Sequence, residues 1–316
     1  MTMKSIRRVQ LVALAAIIAT GLAGCGGGSA DTATSPEASA EAPGSNPTDD
    51  ISANVAVDEK ASALLPQSVK DKGTLVVAME LKSPPTTFLA EDQKTPIGFN
   101  PDMARLIAKK LGLQVEIVDV PFDNIIPALQ GRRYDMTSSS MGVTPERVEV
   151  VDMIEYWKSG SSIGVAKGNP EGYAVDNLCG KQVVVTKGSI QATKRLPEVS
   201  KAQCEDQGKP AIEGIILPTL QDAMTQVASG RVKAVYYDTP ALSWAVRQQP
   251  NRFELLSPQL NTSQVAVALP KDGELTPAVQ AAIQSIIDSP EYQEALGRWG
   301  LEGLGIDEAK LHQESP

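Results

Sequence analysis

The fold is decided by a stretch that occurs twice, as Ile126-Pro-Ala-Leu-Gln-Gly-Arg-Arg-Tyr-Asp135 and as Met224-Thr-Gln-Val-Ala-Ser-Gly-Arg-Val-Lys-Ala234. In each copy a helix ends at a glycine, an arginine follows, and the chain enters a strand. A helix–glycine–strand unit that recurs in one chain predicts two similar α/β lobes.

The first lobe can be traced outward from Ile126. Strands are predicted at residues 74–79, 115–120 and 134–138. Before the second strand, four apolar residues mark one helix face that ends at Gly112: Met103, Leu106, Ile107 and Leu111. Asp123 is predicted to cap the next helix. This alternation predicts an α/β layer with a parallel sheet.

The second lobe repeats the pattern. Strands are predicted at residues 182–186 and 232–237. The helix between them has one apolar face and ends at Gly230; that face consists of Leu220, Ala223, Met224 and Val227. Because open α/β sheets bind ligands beyond the carboxyl ends of their strands, two facing lobes predict a ligand cleft between them.

Composition excludes several classes of function. The 316 residues carry a formal net charge of −9, so no basic surface is predicted for nucleic acid. The only histidine is His312, which makes a histidine-rich metal site or a Ser-His-Asp triad improbable. We therefore expect no cofactor, no metal and no catalytic residues. No apolar run after the N-terminus approaches the ~20 residues that span a bilayer.

The N-terminus has the features of an export signal. Positive charges precede an apolar run over residues 9–22, and Leu22-Ala-Gly-Cys25 follows. A small-residue cleavage site that leads directly into a cysteine resembles the lipobox of bacterial lipoproteins. This resemblance implies a signal peptide at residues 1–24 and lipidation of Cys25. The protein would then be anchored to the cell membrane, on its extracytoplasmic face. A signal peptide followed by an incidental cysteine is the alternative.

Residues 26–56 are rich in Gly, Ser, Ala, Thr, Pro, Asp and Glu. A stretch with so few large apolar residues cannot offset its ordering entropy, so we predict a disordered tether over residues 25–57, including the lipidated cysteine. Two further cysteines remain, Cys179 and Cys204. In an exported protein we expect them to form a structural disulfide; two separate buried thiols are the alternative.

Polar residues follow a predicted strand of the first lobe. The strand at Tyr134 leads into Ser140-Met-Gly-Val143, and Thr144-Pro145 then reads as the cap and first residue of a helix. Arg147 lies one turn into this helix, where its guanidinium could bind a carboxylate in bidentate fashion. A solvated surface arginine is the alternative.

The second lobe contributes two more strand ends. The first is a strand followed by a glycine turn and a serine-capped helix start, in Val185-Thr-Lys-Gly-Ser-Ile-Gln191. The second is a strand followed by an acid and a helix start, in Val235-Tyr-Tyr-Asp-Thr-Pro240. Asp238 could accept hydrogen bonds from an ammonium group; an acid that only complements the helix dipole is the alternative. With Arg147 in the other lobe, Asp238 would match the two ends of a zwitterion.

From about Leu64 to Ile306 the chain resembles the polar-amino-acid solute-binding proteins of ABC importers, solute-binding protein family 3. The motifs occur in the order of the family: Gly73-Thr-Leu-Val-Val-Ala78, Gly98-Phe-Asn-Pro-Asp-Met-Ala104, Phe122-Asp-Asn-Ile-Ile-Pro-Ala-Leu129, Ser140-Met-Gly-Val-Thr-Pro-Glu-Arg147, Ala228-Ser-Gly-Arg-Val232 and Arg298-Trp-Gly300. Leu178-Cys-Gly-Lys181 together with Cys204 is similar to a subgroup that has one disulfide.

The resemblance implies a two-lobed, periplasmic-binding-protein-like fold of type II, with two hinge strands and a ligand cleft. Lobe one would comprise residues 58–160 and 262–316, and lobe two residues 161–261. The protein would be a monomer that captures a small polar ligand, most simply an amino acid, for an ABC permease. An enzyme on the same scaffold, such as a dehydratase, and a sensory lipoprotein are the alternative functions.

The same resemblance assigns residues to the ligand. Arg147 would bind the α-carboxylate, assisted by backbone N–H groups of Gly142 and Ile190. Ser140 and Asp238 would bind the α-ammonium group. The remaining expected ligand contacts are Phe122, Glu80, Ser83 and Ser189.

Three positions depart from the family pattern. An aromatic-Pro-Pro-aromatic sequence is replaced by Ser83-Pro-Pro-Thr86, which removes both aromatic walls. Gly142 replaces a frequent Ser or Thr, and Glu80 replaces the usual Asp. Glu80 favours a ligand with a cationic or donor-rich side chain; pairing with the nearby Lys82 is the alternative.

Overall fold

The computed structural model describes residues 46–313. The predicted signal peptide, Cys25 and the first part of the predicted tether lie outside these residues. Ile51 and Val55, within the stretch predicted as tether, are buried in an apolar cluster. Among the described residues, no helix is long and apolar enough to cross a membrane.

Helices and strands alternate along most of the chain. In order they are α1 (Glu59–Ala63), α2 (Gln67–Lys72), β1 (Thr74–Met79), β2 (Lys82–Ser83), β3 (Thr87–Leu89), β4 (Pro96–Ile97), α3 (Phe99–Leu111), β5 (Gln114–Asp119), α4 (Phe122–Gln130), β6 (Met136–Gly142), α5 (Pro145–Val148) and β7 (Val151–Ala166). They continue with β8 (Gln182–Thr186), α6 (Leu196–Gln203), β9 (Glu213–Leu217), α7 (Leu220–Ala228), β10 (Ala234–Asp238), α8 (Thr239–Gln248), β11 (Phe253–Leu255), β12 (Leu260–Pro270), α9 (Thr276–Ile287), α10 (Pro290–Gly297) and β13 (Leu311–His312). One turn of π-helix, Gln191–Arg195, precedes α6.

A large sheet runs through the described part of the chain, in the order β5-β1-β6-β12-β7-β10-β8-β9. At one end β5, β1 and β6 are parallel, and at the other end β10, β8 and β9 are parallel. The long strands β12 and β7 are antiparallel and join the two ends, with register from Leu260↔Ser161 to Pro270↔Val151. The sheet is therefore mixed, although each lobe contains the parallel strands that the sequence predicts.

Apolar residues pack on both faces of the sheet in each lobe. On β12, Val265 and Val267 belong to one cluster and Ala266 to another, because successive side chains of a strand point to opposite faces. On β10, Tyr236 and Val235 divide in the same way between two further clusters. We define lobe one by the first two clusters and lobe two by the last two. Each lobe is a helix–sheet–helix sandwich.

Several predicted elements are confirmed. β1 and β8 have the predicted bounds, and α3 ends where Gly112 adopts a left-handed conformation with φ 74°. The four apolar positions predicted for the second-lobe helix are all buried on α7. Thr144 caps α5, since its side chain accepts a hydrogen bond from the Arg147 backbone.

Three predicted details are wrong. β6 begins at Met136 and extends to Gly142, because pairing with β12 stabilises residues that have no strand pattern of their own. Asp123 does not cap α4, which begins after Pro121; its carboxylate pairs with Lys187 at 2.7 Å. β10 begins at Ala234, two residues later than predicted, and runs to Asp238.

The predicted disulfide is confirmed: Cys179 and Cys204 are bonded, with a sequence separation of 25. Cys204 is fully buried in the core of lobe two. The bond joins the loop before β8 to the end of α6, so it closes one side of that core.

Replacing both residues, as Cys179→Ser with Cys204→Ser, should lower the free energy of unfolding by about 3 kcal/mol, because a loop of this length is no longer closed in the unfolded chain. Urea unfolding followed by circular dichroism measures the loss, and the wild-type protein under reducing conditions is the matched comparison. Identical unfolding midpoints for the oxidised wild type and the double variant would contradict this prediction.

Candidate ligand-binding site

A polar cleft lies between the lobes, with about 840 Å³ of space when the solvent at its mouth is included. Its walls include the carboxyl ends of β6, β8 and β10 and the residue that follows β1. The structure brings all of the predicted ligand residues to this one cleft: Glu80, Ser83, Phe122, Ser140, Gly142, Arg147, Ser189, Ile190 and Asp238.

Arg147 lines the cleft and bridges the lobes. The short helix α5 presents it, and only 7% of the residue is exposed. Its guanidinium donates from Nη1 to the Gly142 carbonyl at 2.6 Å and from Nη2 to the Gly188 carbonyl at 2.8 Å. Its Cζ lies 5.7 Å from the centre of the Phe122 ring. A solvated surface arginine, the alternative considered above, does not fit this burial.

Burial also affects the charge of this side chain. Desolvation lowers the pKa of Arg147 to about 10, while the negative charges of Asp238 and Glu146 act in the opposite direction. The guanidinium therefore stays positively charged at neutral pH. Two of its five N–H donors are used by the carbonyl contacts described above, which leaves donors for an anion in the cleft.

Ser140 is held in an unusual backbone conformation at the end of β6, with φ 51°. Its hydroxyl accepts a hydrogen bond from Asn100 Nδ2 at 2.9 Å, and its N–H donates to the Tyr156 hydroxyl at 3.2 Å. The Tyr156 hydroxyl in turn donates to Asn100 Oδ1. A left-handed serine costs free energy, and this closed network of contacts fixes it at the wall of the cleft.

Asp238 is the residue before α8, yet its side chain makes no capping hydrogen bond there. Instead Oδ1 accepts a hydrogen bond from Gln191 Nε2 at 2.8 Å, and Gln191 also donates to the Ser161 hydroxyl at 2.9 Å. Desolvation raises the pKa of Asp238 to about 6, against the hydrogen bond from Gln191 and the charge of Arg147. The carboxylate is thus held for the cleft and does not serve as a helix cap.

Glu80 is the second acid of the cleft and is buried in the wall that lobe one forms. Its Oε2 accepts a hydrogen bond from the Ser83 hydroxyl at 2.9 Å, and that hydroxyl lies 3.0 Å from the Tyr237 hydroxyl of lobe two. Burial raises the pKa of Glu80. Lys82, its alternative partner, is exposed on β2, and the Glu80 carboxylate contacts Ser83 instead.

Gly142 and Ile190 face each other across the cleft. A Cβ at Gly142 would lie 3.3 Å from Cδ1 of Ile190, so a side chain larger than glycine would press on lobe two when the lobes are together. The Ser189 hydroxyl accepts a hydrogen bond from the Ala192 N–H at 3.1 Å, just before the π-helical turn. The absence of a side chain at residue 142 therefore permits close contact between the lobes.

Several residues that line the cleft were not predicted from the sequence. Gln191 and Tyr237 each adjoin a predicted site residue, and that adjacency is the signal that could have identified them. Trp157 and Ser161 lie on β7. This strand continues from one lobe into the other, and no pattern in its sequence predicts that. Trp157 is buried with its indole N–H unpartnered.

Two α/β lobes that are joined by crossing strands and enclose one charged cleft define a two-lobed binding protein. Residues 75–302 match the family model of bacterial extracellular solute-binding proteins, family 3, and the chain belongs to this family.

Related proteins support the same assignment. The arginine-binding protein ArgT of Corynebacterium glutamicum is 29% identical over 252 residues, which cover 80% of this chain and 82% of that protein. The L-cystine-binding protein TcyJ of Escherichia coli K12 is 27% identical, over 78% of this chain and 90% of that protein.

Solved structures agree in fold. An ancestral arginine-binding protein bound to arginine superimposes with a TM-score of 0.65 at 32% identity, covering 72% of this chain and 98% of that one. Holo ArgBP from T. maritima gives a TM-score of 0.63 at 28% identity, with coverage of 75% and 100%.

Asp238→Asn should make the ligand-free protein more stable at neutral pH. Burial raises the pKa of Asp238 from 3.8 to about 6, so the folded protein binds more protons than the unfolded chain between these values. Stability therefore falls as pH rises through this window. At pH 7.5 the variant should melt about 2–4 °C above wild type, and at pH 3.5 the two should coincide.

Asp92→Asn is a control variant whose melting temperature should change in the opposite direction. Hydrogen bonds from Thr95 lower the pKa of Asp92 to about 2, so its loss should reduce stability at pH 7.5. Differential scanning calorimetry at both pH values measures these shifts. A lower melting temperature for Asp238→Asn at pH 7.5 would show that the carboxylate stabilises the folded protein.

Proposed function

We propose that this protein captures an amino acid with a cationic side chain, such as L-arginine, outside the cytoplasm and delivers it to the permease of an ABC transporter. The observation that carries the proposal is the charge set of the cleft. The cleft is lined by one buried guanidinium, Arg147, one buried carboxylate, Glu80, and one half-buried carboxylate, Asp238.

The charges of such a ligand match this set. The α-carboxylate would bind Arg147, the α-ammonium group Asp238, and the side-chain cation Glu80. Buried charges are costly unless they are paired, so a ligand with one anionic and two cationic groups relieves the burial cost of all three residues. A zwitterion with a neutral side chain would leave Glu80 without a partner of opposite charge.

The other predicted residues have supporting roles in this proposal. The backbone N–H groups of Gly142 and Ile190 would assist Arg147 at the carboxylate. The hydroxyl of Ser140, fixed by Asn100, would accept from the α-ammonium group together with Asp238. Phe122, Ser83 and Ser189 would complete the walls of the cleft.

The relatives support the ligand class. The C. glutamicum relative is named an arginine-binding protein, and a structure of ArgBP from T. maritima is described as arginine-bound. The name of TcyJ gives L-cystine, which has two carboxylates and two ammonium groups and would leave one carboxylate without Arg147. The family is one of binding proteins, and an enzyme on this scaffold finds no support in it.

We propose further that residues 58–160 with 262–316 move as one lobe and residues 161–261 as the other. β7 and β12 would bend where they pass between the two sets of apolar clusters. Capture would then consist of closure on the ligand, and release of opening at the permease.

L-Arginine should bind with micromolar or tighter affinity, and L-citrulline, its neutral isostere, at least about tenfold more weakly, because a charge-assisted hydrogen bond to Glu80 is lost. Glu80→Gln should reduce this difference, mainly by weakening arginine. Arg147→Ala should weaken both ligands by about 100-fold or more. Isothermal titration calorimetry measures each affinity.

Arg133→Ala, which removes an exposed arginine of the same lobe, is the matched control and should bind like wild type. Circular dichroism tests whether each variant is folded. Equal affinity of the wild type for arginine and citrulline, or unchanged binding by folded Arg147→Ala, would overturn the proposal.

We also propose that Cys25 carries the lipid anchor. In cells that express the full chain, the wild type should fractionate with membranes and incorporate labelled fatty acid, whereas Cys25→Ala should do neither. Replacement of Ser29, which lies after the proposed cleavage site, is the control and should leave both readouts unchanged. Fatty-acid labelling of Cys25→Ala would contradict the assignment of the lipidated residue.

A further inference from the structure

Three side chains form a hydrogen-bonded chain across the cleft. The Glu80 carboxylate lies 2.9 Å from the Ser83 hydroxyl, which lies 3.0 Å from the Tyr237 hydroxyl. Glu80 and Ser83 are both less than 10% exposed, and Tyr237 is half-buried on the wall of lobe two. The chain is therefore largely shielded from water.

The chemistry of the end groups fixes the direction of the chain. An ionised carboxylate only accepts hydrogen bonds, so Ser83 must donate to Glu80. The one hydrogen of Ser83 is then used, and its oxygen must accept from Tyr237. Burial and the charge of Glu80 raise the pKa of Tyr237, which keeps its hydroxyl protonated as the donor.

The chain exists only when the lobes are together. Glu80 follows β1 and Ser83 ends β2, both in lobe one, whereas Tyr237 lies on β10 in lobe two, next to Asp238. Because Ser83 has a short side chain, the Tyr237 hydroxyl can reach it directly. Opening of the lobes would remove the outer donor from the chain and leave Glu80 with Ser83 alone.

We propose that Tyr237 determines side-chain selectivity by completing, through Ser83, a donor chain that holds Glu80 in its ionised form when the lobes close. This inference rests on the proposed function. Hydrogen bonds to the charged form of a carboxyl group favour that form, and linked hydrogen bonds strengthen one another. Oε2 of Glu80 accepts from Ser83, and the carboxylate has further lone pairs with which it can accept from a ligand. An ionised acceptor favours a cationic side chain over a neutral one.

The test measures a ratio of affinities, which a purely structural role would not change. Wild type, Tyr237→Phe, Ser83→Ala and the double variant are titrated calorimetrically with L-arginine and L-citrulline. Tyr237→Phe keeps the ring and should reduce the preference for arginine by about five- to tenfold, through weaker arginine binding. Ser83→Ala should reduce it at least as much, and the double variant should lose no more than Ser83→Ala alone, because Tyr237 acts on Glu80 only through Ser83.

Two controls separate this effect from a general loss of fit. Tyr173→Phe removes a hydroxyl that donates to the Gln182 carbonyl elsewhere in lobe two, and it should keep the wild-type ratio. Ser83→Thr keeps the hydroxyl and should retain most of the preference. Melting temperatures show whether each variant is folded.

The possible outcomes distinguish the two proposals. If the wild type shows no preference for arginine over citrulline, the proposed function fails. If the wild type prefers arginine but Tyr237→Phe weakens both ligands equally or leaves both unchanged, the inference about Tyr237 is overturned. Additive losses in the double variant would overturn it as well, because the two hydroxyls would then act separately.

Discussion

The arrangement of the site depends on one buried cation held between two carbonyl groups. Arg147 donates to Gly142 in its own lobe and to Gly188 in the other, so its position is set by both lobes at once. A guanidinium out of water needs its hydrogen bonds satisfied, and two fixed carbonyl oxygens satisfy part of that need while leaving its charge uncompensated. Asp238 of the other lobe offsets part of this charge, because its attraction acts against the fall in the pKa of Arg147.

The charged groups of the cleft are only partly compensated in the protein without ligand. The carboxyl groups of Asp238 and Glu80 both have raised pKa values because of burial, so the folded protein without ligand stores unfavourable electrostatic free energy in them. A ligand that supplies opposite charges releases it. Binding sites commonly lower stability in this way, since the groups that recognise a ligand are poorly satisfied without it. The apolar clusters of the two lobes, on both faces of one sheet, supply the stability that makes such a site possible.

Much of the fold could be predicted because its signals are local. The left-handed Gly112 ends α3, and the Thr144 cap begins α5, and both follow from residue types at single positions. The extension of β6 to Gly142 could not be predicted, because it depends on pairing with a strand more than a hundred residues later. In the site, Arg147 and Asp238 were identified from their positions at strand ends. Tyr237 was not predicted as a site residue, because the apolar periodicity of a strand does not show whether a side chain contacts the other lobe.

The order of segments in the chain has a consequence for how the protein folds. The sheet of lobe one is completed by β12, where Val265 pairs beside Gly142, and by the contact of Thr276 with Asp152, 124 residues earlier. Lobe two lies between these partners in the sequence and is closed by nearby pairings such as β8 with β9. Loops that must close over long separations form slowly, because their entropy is lost before their contacts are gained. The sheet of lobe one is therefore complete only after β12, which follows lobe two in the sequence, has paired with β6.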